Sequence, residues 1–157
     1  MPCASRLSAL PMENRMILHK LNEHPLYCYM NPQEIASIEK VRIEQTFIAH
    51  ESIIAIGERN RDLMCLDEGS VSIQVEDTQG TITEVARLHE GSLIGEMNYI
   101  IPTRRTANVV SLTEVVASYY PYAELCALLA QQPILAAKLF AALNIQLQMK
   151  LRRMLPA

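Results

Sequence analysis

Tryptophan is missing from this 157-residue chain, phenylalanine occurs twice and glycine only five times. A large excess of either charge is missing too. Basic and acidic residues nearly cancel, leaving a net charge of −3, so no overall positive field exists to draw a nucleic acid. Cysteine is scarce: Cys3, Cys28, Cys65 and Cys126 stand far apart, with no CxxC pair and no neighbouring histidine. That spacing excludes a zinc knuckle. With no leader-like apolar run at the N-terminus, it also argues against a secreted disulfide framework. No uninterrupted run approaches the roughly 18 apolar residues of a membrane span. We therefore expect a cytoplasmic protein with reduced thiols.

Catalytic signatures are also wanting. The sequence contains no GxSxG, no His-x-His and no evident Cys–His arrangement. Of the four histidines, His19, His24, His50 and His89, neither His50 nor His89 has a clustered carboxylate motif around it. Hydrolase chemistry and a barrel-held catalytic metal both fall away. The expectation is a protein that performs no chemistry and needs no metal or cofactor.

What is present is half hydrophobic, with 157 residues to build a core. All five glycines fall between Gly57 and Gly95, whereas the prolines lie mostly outside that window. Tight β turns flanked by capped helices would leave that mark. "NPQEIASIEK" opens with Asn31 as a candidate N-cap, Pro32 at the first helical position and Glu34 three residues past the cap. An earlier helix is expected over about residues 13–23. "SVSIQVE" then alternates with period two, and "RIEQTFI", "SIIAIG", "LMCL", "ITEVARL", "TANVVS" and "EVVASYY" supply further short strands. After Pro121 the helical period returns. "PYAELCALLAQQ" forms one helix, and from Pro133 leucine recurs every fourth residue, from Leu135 to Leu155, as one apolar edge.

We expect residues 1–12 to be an unstructured tail and residues 13–157 one domain. A helical bundle would cover 13–41 and 121–155, and a β roll 42–120. The fold class is mainly β with flanking helices: an antiparallel, jelly-roll-like roll with N-terminal helices and a C-terminal helix pair. Lys150, Arg152 and Arg153 crowd the final turns, where cations complement the helix dipole.

The segment "LIGEMNYIIPTRRTANVV" stands apart. Seven uncharged residues separate Glu96 from the Arg104–Arg105 pair, with Gly95 beside the carboxylate. A glycine entering a short helix offers backbone N–H groups to an anion, and an arginine from the next strand can grip that anion with a fork of hydrogen bonds. The carboxylate would repel the same anion but could accept hydrogen bonds from hydroxyls on the rest of the ligand. A phosphate rigidly linked to a sugar hydroxyl satisfies both groups. A structural ion pair between Glu96 and Arg105 is the plainer alternative.

Ile94-Gly95-Glu96-Met97-Asn98, followed by Arg105-Thr106-Ala107 and a valine-rich strand, resembles the phosphate-binding cassette of cyclic nucleotide-binding domains. Such domains occur in kinase regulatory subunits, gated channels and the bacterial catabolite activator protein. The resemblance runs from about residue 20 to 153. It includes the "IAIGERNRDLMCLDEGSVSI" hairpin with Gly57 and Gly69, and the helices that follow the barrel.

The resemblance implies a sensor of cAMP or cGMP. Gly95 would form the cassette turn, Glu96 would bind the ribose 2′-hydroxyl and Arg105 the exocyclic phosphate oxygens. Amides around Met97 and Asn98 would complete the cradle, and Thr106 would lie near phosphate and base. Arg104 is read as a solvated charge. Two positions depart from the family pattern: Ile94 replaces phenylalanine, and Asn98 replaces a small residue, usually alanine. Asn98 would either crowd the phosphate or donate to it. Occupancy would pass through the C-terminal helices to an effector protein or to a second copy of the chain. A scaffold of the same fold with a degenerate site, or a receptor for another anionic second messenger, is the competing reading.

Overall fold

Residues 24–154 are described by the structure, a computed structural model. The expected tail at 1–12, the expected helix at 13–23 and Leu155 lie outside them. The described residues fall into two compact units, 24–37 with 132–154 and, between them in sequence, 38–131.

The larger unit is a β roll. Its strands are β1 (Ile43–Phe47), β2 (Ser52–Ile54), β3 (Leu63–Glu68), β4 (Val71–Glu76), β5 (Ile82–Leu88), β6 (Leu93–Ile94), β7 (Asn108–Ser111) and β8 (Val115–Tyr120). They form two four-stranded antiparallel sheets, ordered β1-β8-β3-β6 and β2-β7-β4-β5. Met64, Leu66, Ile94, Val115 and Ala117 from the first sheet meet Ile54, Val71 and Val109 from the second in one buried cluster. Each strand read from the sequence is present to within a few residues. The two-residue β6 was not foreseen, being too short to show any period.

Alternation predicts burial poorly on the second sheet. Ser72, on the expected polar face of β4, is 1% exposed, and its hydroxyl hydrogen-bonds Glu84 Oε2 at 2.5 Å. β5 is exposed over most of its length, because it is an edge strand paired only with β4. The β4–β5 pairing also slips between Ile73 and Gln74, which breaks the strict period.

Helix α1 (Pro32–Glu39) begins with the expected capping box. Asn31 Oδ1 accepts from the Glu34 amide at 2.9 Å, and Glu34 Oε1 accepts from the Asn31 amide at 3.0 Å. Three further helices follow: α2 (Glu96–Ile100), α3 (Tyr122–Gln131) and α4 (Pro133–Met154).

In the smaller unit Lys138 Nζ donates to Glu34 Oε1 at 2.6 Å. Leu135, Leu139, Ala142 and Leu143 of α4 are buried, but Leu147 is only half-buried and Leu151 is 52% exposed. A four-residue repeat gains about 40° per step on a helix of 3.6 residues per turn, so the leucine stripe rotates off the buried face. The single apolar edge expected from the repeat is therefore buried only along its first half. The stretch Pro133–Arg152 reaches a mean hydropathy of 1.2, enough by length and composition alone to cross a bilayer. It contains no uninterrupted apolar run: Lys138, Asn144, Gln146, Gln148 and Lys150 break it.

Candidate functional site

The cassette lies between β6 and β7. Gly95 caps the one-and-a-half-turn helix α2 with φ 87° and ψ 13°, a left-handed conformation that side chains disfavour. It has a second reason to be glycine. A Cβ built there would collide with Arg105 Nη1 and stand 3.0 Å from the Asp62 carbonyl oxygen. The backbone at 95 is thus the surface against which the arginine rests.

Arg105 is placed from both ends. Its amide donates to the Glu58 carbonyl, and its own carbonyl accepts from the Gly57 amide, each at 2.8 Å. Its guanidinium turns inward and is 5% exposed. Nη2 donates to the Asp62 carbonyl at 2.7 Å, and Nη1 donates to Asn98 Oδ1 at 3.1 Å. Nε is buried without a hydrogen-bond partner, the one such side-chain atom among the described residues. Burial is the largest influence on this guanidinium and lowers its pKa; Asp62, Glu58, Tyr119 and Glu96 pull the other way. An arginine stays charged under such a shift.

Glu96 is 2% exposed and Asn98 is 9% exposed, so three of the residues singled out from the sequence share one buried locus with Gly95 at its floor. Met97 and Thr106 are exposed. Arg104 is exposed as expected, and its Nη1 donates to the Gly57 carbonyl at 3.0 Å.

The Asn98 side chain makes four hydrogen bonds within the cassette. Nδ2 donates toward Thr103 O at 3.0 Å, and toward Thr103 Oγ1 and Arg104 O at 3.1 Å each. Arginine can only donate and a carbonyl can only accept, so this amide orientation alone satisfies both sides.

Two functional candidates escaped the sequence reading. Arg61 donates from Nε to Asn98 O and from Nη2 to Tyr99 O, both at 2.9 Å, satisfying carbonyls at the end of α2. Its Nη1 donates to Tyr122 Oη at 2.6 Å, and its Cζ stands 4.0 Å over the Tyr122 ring. Asp62 accepts from the Tyr122 amide through Oδ1 at 2.8 Å while its carbonyl accepts from Arg105. In "ERNRDL" these residues read as an ordinary polar turn, and no local signal separates them from their neighbours.

The sequence model of the cyclic nucleotide-binding domain matches residues 44–132, more than half of the chain. The chain belongs to the cyclic nucleotide-binding domain family. Solved structures agree on the fold. A cyclic nucleotide-binding domain from Methylobacillus flagellatus superposes with a TM-score of 0.78 at 22% identity, covering 87% of this chain and 77% of that one. The N-terminal domain of a transcriptional regulator from Streptomyces coelicolor gives 0.71 at 25% identity, covering 83% and 93%. The regulatory subunit of a cAMP-independent protein kinase A from Trypanosoma brucei also gives 0.71, at 21% identity. There the match covers 83% of this chain but only 46% of the subunit. Comparison with curated proteins found no match.

Proposed function

We propose that this chain is a cyclic nucleotide sensor whose site is the cassette from Gly95 to Thr106. One observation carries the reading: a buried guanidinium holds an N–H with no acceptor, against a glycine floor and beside a buried carboxylate. A buried donor without a partner costs about 1–3 kcal/mol, and an arriving phosphate oxygen would remove that cost. Arg105 then holds the exocyclic phosphate and Glu96 the ribose 2′-hydroxyl. Amides near Met97 and Asn98 complete the cradle, and Thr106 faces phosphate or base. Both cAMP and cGMP meet these requirements.

The module catalyses nothing in this reading, works in the cytoplasm, and needs no metal. Its output is conformational. Phosphate binding reorders 95–105, and Arg61 ties the carbonyls of α2 to Tyr122, the first residue of α3. The change passes to α3 and α4, and from them to an effector protein or a second copy. A ligand shifts such an equilibrium only by its differential affinity for the two states, about 1–3 kcal/mol in common cases.

Calorimetric titration with cAMP and with cGMP tests the proposal. Saturable binding is expected, and Arg105→Ala should remove about 2–5 kcal/mol of it. Binding that survives Glu96→Ala undiminished would point to another anionic messenger. No heat with either nucleotide from folded protein would favour a scaffold with a degenerate site. The Asn98–Arg105 hydrogen bond favours that second reading, since it supplies Arg105 with an acceptor from the protein itself.

A further inference from the structure

We infer that Asn98 is an internal competitor for Arg105, a latch that holds the site shut and sets the ligand concentration needed to open it. The inference rests on the cyclic nucleotide reading above and adds its regulation.

The geometry is that of a held group. Asn98 Oδ1 stands 3.1 Å from Arg105 Nη1, where it meets the guanidinium as an anion's oxygen would. The amide cannot swing away at no cost, because Nδ2 is engaged by Thr103 O, Thr103 Oγ1 and Arg104 O. Its main-chain carbonyl is fixed in turn by Arg61 Nε at 2.9 Å. A phosphate that takes the place of Oδ1 on Nη1 must displace the amide, and displacement gives up the Nδ2 bonds to Thr103 and Arg104 until the turn rearranges. The Asp62 carbonyl occupies Nη2 in the same way, so both terminal nitrogens are engaged while only Nε lacks a partner. The latch therefore satisfies the arginine only in part and leaves Nε for the ligand.

The same bonds make opening felt beyond the site. Thr103 and Arg104 immediately precede Arg105, and Asn98 is the central residue of α2. Releasing the amide uncouples α2 from the segment that follows it. Occupancy and cassette movement thus become one event, in which a methyl side chain at position 98 would have no part.

The experiment is titration of wild type, Asn98→Ala and Asn98→Ser with cAMP and with cGMP, each protein first shown to be folded by circular dichroism. Serine is included because it keeps a polar group too short to reach Arg105. It serves alone should the alanine variant fail to fold. Both variants should bind at least about tenfold more tightly than wild type, since the competing hydrogen bond to a charged group is gone. The gain should vanish when Arg105→Ala is added.

A merely structural Asn98 predicts the reverse sign, weaker binding. Equal or weaker binding by the variants beside a wild type that binds would overturn the latch and leave the sensor reading intact. Binding by a variant but not by wild type would uphold the latch and show the native site to be closed. Binding by none of the folded proteins would overturn both.

Discussion

The guanidinium of Arg105 lies against the bare Cα of Gly95, close enough that any side chain at 95 would strike Nη1. Nine residues of chain lie between the two, yet each requires the other's form: the arginine needs a floor without a Cβ, and the turn into α2 needs φ 87°. Gly95→Ala combines a left-handed backbone penalty with that collision. We expect a loss of about 2–4 kcal/mol. Urea unfolding at constant m-value measures it, and an unchanged midpoint would show that neither the backbone at 95 nor Arg105 resists a methyl group.

Arg61 and Tyr122 should prove energetically coupled. The pair combines a hydrogen bond with a cation over a ring, and Arg61 also satisfies two carbonyls of α2. Arg61→Ala is expected to cost about 2–3 kcal/mol. A double-mutant cycle with Tyr122→Ala should return a coupling of about 0.5–2 kcal/mol. Strict additivity would mean that the contact carries no energy, and would remove the proposed link from cassette to α3.

Alkaline pH should unfold the roll at lower denaturant concentration. Burial pushes the Cys65 thiol from its ordinary 9.0 up to about 12, with Asp67 adding to the rise. Burial likewise moves the Tyr119 phenol from 10.0 to about 12, opposed by Arg105. Both folded-state values are raised, so these groups contribute stability that is present below about pH 9 and is lost as pH climbs toward 12. The urea midpoint should fall between about pH 8 and about pH 11, less steeply in Cys65→Ala. A midpoint independent of pH over that range would contradict the burial of both groups.

The start of α1 offers a local test. Asn31→Ala removes the oxygen that caps the Glu34 amide and should cost about 0.5–2 kcal/mol. Glu34→Ala should cost at least as much, because it also strands Lys138. Thermal unfolding of the two variants gives the ranking, and Asn31→Ala more damaging than Glu34→Ala would contradict it.

Much of this fold was legible in the residues. Asn31, Pro32 and Glu34 announce a helix start because capping is settled within one turn of chain. The strands show because alternation is a property of consecutive residues. The reading faltered where a neighbour from elsewhere decides the outcome. Ser72 is buried with its hydroxyl on Glu84 of the neighbouring strand, β5 is exposed because nothing pairs its outer edge, and the leucine stripe of α4 drifts off its buried face. At the site, Gly95, Glu96 and Arg105 stood out by their arrangement, and Asn98 as a departure from the pattern the cassette resembles. Arg61 and Asp62 did not, since their partners lie 37 to 61 positions away.

Sequence by itself determined the class of protein and the order of the described elements other than β6. These follow from local periods, caps and a motif whose members lie within a few turns of one another. Tertiary structure alone decided what Arg105 touches. Its partners at Asp62 and Asn98 are 43 and 7 positions distant, and a hydrogen bond is made only where folding brings donor and acceptor within about 3 Å. Composition could place a guanidinium in the cassette. Only the packed roll could give it an amide to hold and leave its Nε without a partner.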